Sequence, residues 1–273
     1  MSAASGDSPR ITVRDFQARK AQNEPIVVVT AYDALFGRLV DQSGVDCVLV
    51  GDSLGNLLAG YETTLPVTLD QMIYHAKSTR AGVTRALLAV DMPFLTYQVS
   101  PQRALLNCGR VMQESGADAV KLEGAGENIL AAIRAVTGAG IPVMGHLGFT
   151  PQSVLALGGS RVQGRDAEGA KRMVEGARAL EAAGVFAIVL ELVPADLAER
   201  ITKAVGVPTI GIGAGPKCDG QVLVLHDLLG LNDGFSPKFL KRYASMADDV
   251  RKAIARFGKE VRARTYPDAD HSF

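Results

Sequence analysis

Short apolar runs recur along the chain at Ile26–Thr30, Cys47–Val50, Ala86–Val90, Ala119–Leu122, Pro142–Gly145, Ala187–Leu190, Pro208–Ile212 and Val222–Leu225. Most are apolar throughout rather than alternating. That is the pattern of strands buried on both faces, as in a parallel sheet. Between them, helical spacing predicts helices over Ala34–Gln42, Leu69–Ala81, Pro101–Glu114, Asn128–Thr137, Ala167–Ala182, Ala195–Ala204 and Pro237–Arg262. Ser100-Pro101 supplies an N-cap serine with proline at the first helical position. A glycine stands between helix end and next strand five times, at Gly44, Gly116, Gly140, Gly184 and Gly206. There it can take the left-handed conformation that stops a helix. Strands and helices joined in this way predict an α/β fold: a single (β/α)8, TIM-type barrel with parallel strands and a C-terminal helix. The expected catalytic domain is residues 11–273, behind a disordered tail at residues 1–10; an open doubly wound sheet is the alternative. Two places fit poorly. The stretch 213–221 is too short for a full helix. The stretch 147–166, with Pro151, Gly158, Gly159 and Gly164, reads as a long irregular loop, a kind that often carries function.

Composition narrows the functional classes. The 273 residues suit one barrel, and 47 % hydrophobic residues are ample for its core. Lys+Arg and Asp+Glu each number 29, so the balance lacks the basic excess of a nucleic-acid binder. Tryptophan is absent and aromatics are 5 %, which disfavours a base-stacking platform. Cys47, Cys108 and Cys218 are odd in number and far apart, so neither a disulfide framework nor zinc spacing is implied. The first ten residues lack the apolar run of a signal peptide, and no run approaches the roughly 18 apolar residues of a membrane span. A cytoplasmic location without a membrane partner is the expectation.

Chemistry enters where the apolar runs stop. Their ends read Thr30-Ala-Tyr-Asp33, Gly51-Asp52-Ser53, Asp91-Met-Pro-Phe94, Lys121-Leu-Glu123, Gly145-His146, Glu191 and, after strand eight, His226-Asp227. In a parallel barrel these ends emerge on one face, where active sites are built. Asp52, Asp91, Glu123 and Glu191 would then gather there with Lys121 and His146. Two unit charges at 4 Å cost on the order of 4 kcal/mol at an effective dielectric near 20. A cation, a lysine or a held proton must compensate. Asp52, Asp91 and Glu123 are all-oxygen ligands suited to a hard ion such as Mg2+, which needs only one or two carboxylates. Plainer readings stand beside these. Asp52 also suits a helix cap and Asp91 a turn. Lys121 and Glu123, two apart on one strand face, also suit a structural ion pair. His146 also suits a buried structural histidine, and His75 and His271 read as structural. Glu191 ends so apolar a run that burying it without purpose would be costly, which favours function. Gly211-Ile-Gly-Ala-Gly215 is a weak phosphate-loop signal, better explained by close packing.

Taken in order, several segments resemble the ketopantoate hydroxymethyltransferase family. They are Thr30-Ala-Tyr-Asp33, Val50-Gly-Asp-Ser-Leu-Gly55, Thr64-Leu-Pro-Val-Thr68, Asp91-Met-Pro-Phe94, Val120-Lys-Leu-Glu-Gly124, Gly145-His-Leu-Gly-Phe-Thr-Pro-Gln152, Val162-Gln-Gly-Arg165, Ile210-Gly-Ile-Gly-Ala-Gly215, Tyr266-Pro267 and His271-Ser-Phe273. The resemblance implies hydroxymethyl transfer from 5,10-methylenetetrahydrofolate to 3-methyl-2-oxobutanoate, giving 2-dehydropantoate on the pantothenate route to coenzyme A. It also implies Mg2+, a (β/α)8 barrel and a homo-oligomer, typically a decamer. On that footing Asp52 and Asp91 are expected to hold the metal, with Glu123 completing its shell directly or through water. Lys121 and Ser53, with Asp52 and Asp91, would bind the substrate, Glu191 would be the base, and His146 would stand behind the reacting groups. The rival reading is a Mg-dependent α-keto acid lyase or mutase of the phosphonopyruvate mutase or isocitrate lyase type. A non-catalytic binding barrel would have no reason to keep these charges at one mouth.

Overall fold

Strands β1 (Ile26–Thr30), β2 (Cys47–Val50), β3 (Leu87–Asp91), β4 (Ala119–Glu123), β5 (Val143–Gly148), β6 (Ala187–Glu191), β7 (Thr209–Ile212) and β8 (Gly220–Leu223) pair in parallel in sequence order. β8 also pairs with β1, which closes the barrel. The structure, a computed structural model, describes residues 9–273. The first eight residues of the expected N-terminal tail lie outside the described residues. Arg10 is anchored by an ion pair with Asp118, 2.5 Å.

The core shows why the strands are apolar throughout. Ile26, Val28, Cys47, Leu49, Leu87, Ala89, Ala119, Met144, Ala187, Val189, Ile210 and Val222 belong to one buried cluster. They occupy alternate strand positions, so they share the inward face. Among the intervening residues, Val27 on β1 is exposed, whereas others such as Val48, Leu88, Val120 and Ile188 are also fully buried. They are covered by helices α2 (Ala34–Gln42), α4 (Leu69–Arg80), α5 (Pro101–Ser115), α6 (Glu127–Gly138), α7 (Ala167–Ala182) and α8 (Ala195–Ala204), which separate the strands in sequence. A four-residue helical turn, α3 (Leu54–Leu57), follows β2.

Two sequence expectations are corrected. The helix expected at Pro237–Arg262 begins only at Met246, as α10 (Met246–Arg262). Before it, the chain bonds back across a loop instead of along itself: the Tyr243 and Met246 N–H groups donate to the Leu228 and Leu229 carbonyls. Strand eight ends at Leu223, and His226-Asp227 lie on the short helix α9 (Leu225–Leu228) rather than at a strand end. The sequence reading also omitted α1 (Val13–Gln22), a polar helix whose buried residue is Phe16. Phe16 joins the inward core and meets Phe186 edge-on at 5.4 Å. As expected, no helix fills 213–219, and 149–166 carries only a three-residue 3-10 turn at Pro151–Ser153. The chain forms two compact units: the barrel up to Val224, and Leu225–Phe273 with α9 and α10. No helix among the described residues is long and apolar enough to cross a membrane.

Candidate active site

The inward face of the strands turns polar at their C-terminal ends. Continuing the alternation, Ala89 leads to Asp91, Ala119 to Lys121 and Glu123, Met144 to His146, and Val189 to Glu191. One hydrophobic register thus carries both core and chemistry. Asp52 joins them from the turn after β2. Asp52, Asp91, Lys121, Glu123 and His146 are all buried; Glu191 is partly open, with 19 % of its side chain exposed.

Lys121 Nζ sits 3.1 Å from Asp91 Oδ1 and 3.5 Å from Glu123 Oε1. Asp91 Oδ2 accepts the Asp52 backbone N–H at 3.1 Å. His146 bridges Glu123 and Glu191: its Nδ1 is 3.1 Å from Glu123 Oε1, and its Nε2 is 3.3 Å from Glu191 Oε2. Ser53 is held by the Tyr32 hydroxyl at 2.9 Å. Two of the plainer readings fail on this geometry. The Asp52 side chain caps no helix but accepts from Gln152, and the Asp91 side chain holds the turn after β2 rather than its own turn. Lys121 and Glu123 do form an ion pair, within a larger cluster that includes Asp91. Elsewhere, His75 Nδ1 meets the Tyr32 carbonyl at 2.8 Å, a structural contact. Asp33 caps α2 by accepting the Phe36 N–H.

The charges do not balance. Three buried carboxylates face one ammonium, leaving two formal negative charges before His146 and Glu191 are counted. Burial, then the neighbouring Asp91 and Glu123, push the Asp52 carboxyl up to about 8. Burial likewise raises Asp91, with Lys121 opposing. Burial would lower Lys121, but Asp91, Glu123 and Asp52 outweigh it and hold the ammonium charged. For Glu123, burial is outweighed by Lys121 and His146, which keep it ionised. Burial and Lys121 work against a charged His146, and Glu123 and Glu191 overcome them. Among the described residues no group of three or more His, Cys, Asp or Glu is arranged to hold a metal alone. Asp52 and Asp91 are a pair, the number of carboxylates that suffices for magnesium when water or substrate oxygens fill the other positions.

Sequence reasoning missed two members of the cluster. Gln152, from the loop after β5, donates through Nε2 to Asp52 Oδ2 at 3.0 Å and through its backbone N–H to Glu123 Oε2 at 3.1 Å. Tyr97, buried after β3, donates its hydroxyl to Gln152 Oε1 at 2.8 Å. Gln152 ends a segment that carried the family resemblance, which was the available signal for it. Close approach also dictates Gly148. Its φ is +99°, and a Cβ there would run into the Glu191 carbonyl oxygen.

A model of the ketopantoate hydroxymethyltransferase family matches residues 10–269. This chain belongs to that family. It is 54 % identical over 264 residues to the 3-methyl-2-oxobutanoate hydroxymethyltransferase of Moorella thermoacetica, covering 97 % of this chain and 98 % of that one. The enzyme of the same name from Flavobacterium johnsoniae is 48 % identical over the whole of both chains. Among solved structures, a phosphonopyruvate hydrolase in complex with oxalate and Mg++ aligns with a TM-score of 0.62 at 13 % identity, covering 96 % of this chain and 93 % of that one. A 2,3-dimethylmalate lyase aligns at 0.60 and 15 %, covering 92 % and 87 %. At such identities these two show a shared fold and nothing finer.

Proposed function

We propose that this chain transfers a hydroxymethyl group from 5,10-methylenetetrahydrofolate to 3-methyl-2-oxobutanoate, giving 2-dehydropantoate. The family match over almost the whole chain supports the substrate. The observation that carries the chemistry is the separation of carboxylates: a buried Asp52–Asp91 pair on one side of Glu123 and His146, and the more open Glu191 on the other.

Mg2+ fits the donor set. Asp91 Oδ1 is buried and, apart from the Lys121 ammonium 3.1 Å away, has no hydrogen-bond partner, Gln152 engages Oδ2 of Asp52, and one divalent cation cancels the two surplus negative charges. Asp52 and Asp91 would hold it; Glu123, whose two oxygens are engaged by Lys121, His146 and Gln152, would act through water. When bound, the ion supplies Lewis-acid stabilisation of negative charge developing on the keto oxygen. Lys121 adds a fixed positive charge for substrate oxygens, and Ser53, oriented by Tyr32, donates to the substrate carboxylate. Glu191 takes the proton from C3. It is the freest acceptor of the four carboxylates, and His146 orients it through Nε2. The carbanionic C3 then bonds to the folate-borne methylene carbon; both bonds from that carbon to folate nitrogens break, water supplies the hydroxyl oxygen of the product, and tetrahydrofolate leaves with the C3 proton and the remaining proton of the water.

The competing lyase or mutase reading rests only on fold, and the family match disfavours it. Homo-oligomeric, decameric assembly and a cytoplasmic location belong to the same proposal. Exposed Val250, Ile254 and Phe257 along α10 are side chains that association would cover.

The test is isotope exchange. With Mg2+ and no folate, the protein should exchange the C3 hydrogen of 3-methyl-2-oxobutanoate in heavy water. Glu191→Gln should lower that rate at least about 100-fold while calorimetry still detects keto acid binding. Wild-type-like exchange in the variant would remove Glu191 as the base.

A further inference from the structure

Gln152 comes from the irregular loop after β5, yet it is buried and reaches across the barrel mouth. Its Nε2 lies 3.0 Å from Asp52 Oδ2 and 2.8 Å from the Met92 carbonyl. A main-chain carbonyl only accepts, so the amide nitrogen must face it, and Asp52 therefore receives an N–H. On the other side, Oε1 takes the Tyr97 hydroxyl at 2.8 Å and the Gln98 amide at 3.1 Å. Tyr97 Oη accepts the Glu123 N–H at 3.1 Å, which leaves its own proton for Gln152. Both amide protons and the amide oxygen of Gln152 are thus engaged. Rotating the group would break several bonds at once.

We propose that Gln152 is a positioning residue for the divalent-cation site: its amide ties down Asp52 Oδ2, so that Oδ1 is the oxygen presented to the ion. The proposal rests on the reading that Asp52 and Asp91 hold the cation. A neutral donor suits this task. A lysine or arginine in the same place would fix the carboxylate equally well but would repel the cation. Through its backbone N–H, Gln152 also fixes Glu123, so one loop residue sets the spacing between the carboxylates that follow β2 and end β4. Tyr97 fixes Gln152 in turn, which places a second positioning group one bond further from the ion.

Two variants of the full-length protein test this: Gln152→Met, which keeps length and loses the hydrogen bonds, and Tyr97→Phe, which loses one hydroxyl. Calorimetric titration with Mg2+ alone gives the affinity, and thermal melts in EDTA report folding. Gln152→Met should weaken Mg2+ binding about 10–100-fold, and Tyr97→Phe by a smaller factor. A purely structural role would lower the melting temperature and leave the Mg2+ affinity of the folded variants unchanged; that result overturns the proposal. If Gln152→Met does not fold, unchanged affinity in Tyr97→Phe overturns it alone. Wild-type protein that binds no Mg2+ refutes the metal site itself, whereas wild-type binding with unaltered variants refutes only the role of Gln152.

Discussion

Replacing Asp52 with asparagine should stabilise the metal-free protein while removing its affinity for Mg2+. Asp52 is buried between Asp91 and Glu123, and its carboxyl is pushed from an ordinary 3.8 up to about 8. A folded-state pKa above the unfolded value means that the fold favours the protonated form. The penalty of ionising Asp52 is therefore absent well below pH 3.8, grows as pH rises, and is complete above about 8. Taken whole, that interval corresponds to a ceiling of about 6 kcal/mol. Asp91 and Glu123 share the repulsion, and water at the mouth relieves part of it, so about 2–3 kcal/mol is the expected gain. Asparagine keeps an oxygen for the Gln152 donor and removes the charge, so the shape of the site survives. Melts of wild type and Asp52→Asn in EDTA at about pH 5 and about pH 8.5 measure the effect, roughly 5–10 °C at the higher pH and clearly less at the lower. Adding Mg2+ should raise the wild-type melting temperature and leave the variant unmoved, reversing the order. A variant that melts at or below wild type in EDTA at the higher pH, or whose gain does not depend on pH, would refute the reasoning.

Asp41, at the end of α2, accepts the Thr84, Arg85 and Ala86 N–H groups and the Thr84 hydroxyl at 2.7–3.1 Å. Asp41→Ala should cost about 3 kcal/mol or more by orphaning those donors, read by denaturant unfolding. Burial alone would raise its pKa, but these bonds outweigh it and hold the carboxyl below 3.8, so its contribution is present at neutral pH and fades as pH falls below about 4. Gly148→Ala should cost about 2 kcal/mol or more in the same assay, because φ there is +99° and the added methyl meets the Glu191 carbonyl. It should also slow C3 exchange by displacing Glu191; a fully active Gly148→Ala would break the link between this approach and the base.

The barrel was legible because its strands are buried on both faces. Uninterrupted apolar runs such as Cys47–Val50 and glycines such as Gly116 (φ +70°) at helix ends are local signals that survive without partners. Helix α1 was not legible for the opposite reason: Val13-Arg-Asp-Phe-Gln-Ala-Arg-Lys-Ala-Gln22 buries Phe16 and little else, so no apolar stripe announces it. Its remaining signal was Thr12 with Asp15, a reciprocal cap that a sequence shows only as two common residue types. At Pro237 the composition suited a helix start, but the backbone donors beyond it found partners in the 228–230 turn, and tertiary bonding overrode the local pattern.

The same contrast separates the parts of the site. Asp91, Lys121, Glu123 and Glu191 could be read from the sequence because a charge at the inward end of an apolar strand is expensive unless something answers it. Strand parity then says that they face one another. Gln152 has no such marker. It is neutral, lies on a loop without periodicity, and meets Asp52 across a separation of 100 residues. A glutamine on a loop costs nothing when left in water, so only the folded arrangement shows that its amide is buried and fully bonded. The charged groups therefore mark where chemistry can be built at the barrel mouth, while the neutral groups that hold them emerge only in three dimensions. That is why the metal-binding variants of Gln152 and Tyr97 test more of the site than another carboxylate substitution would.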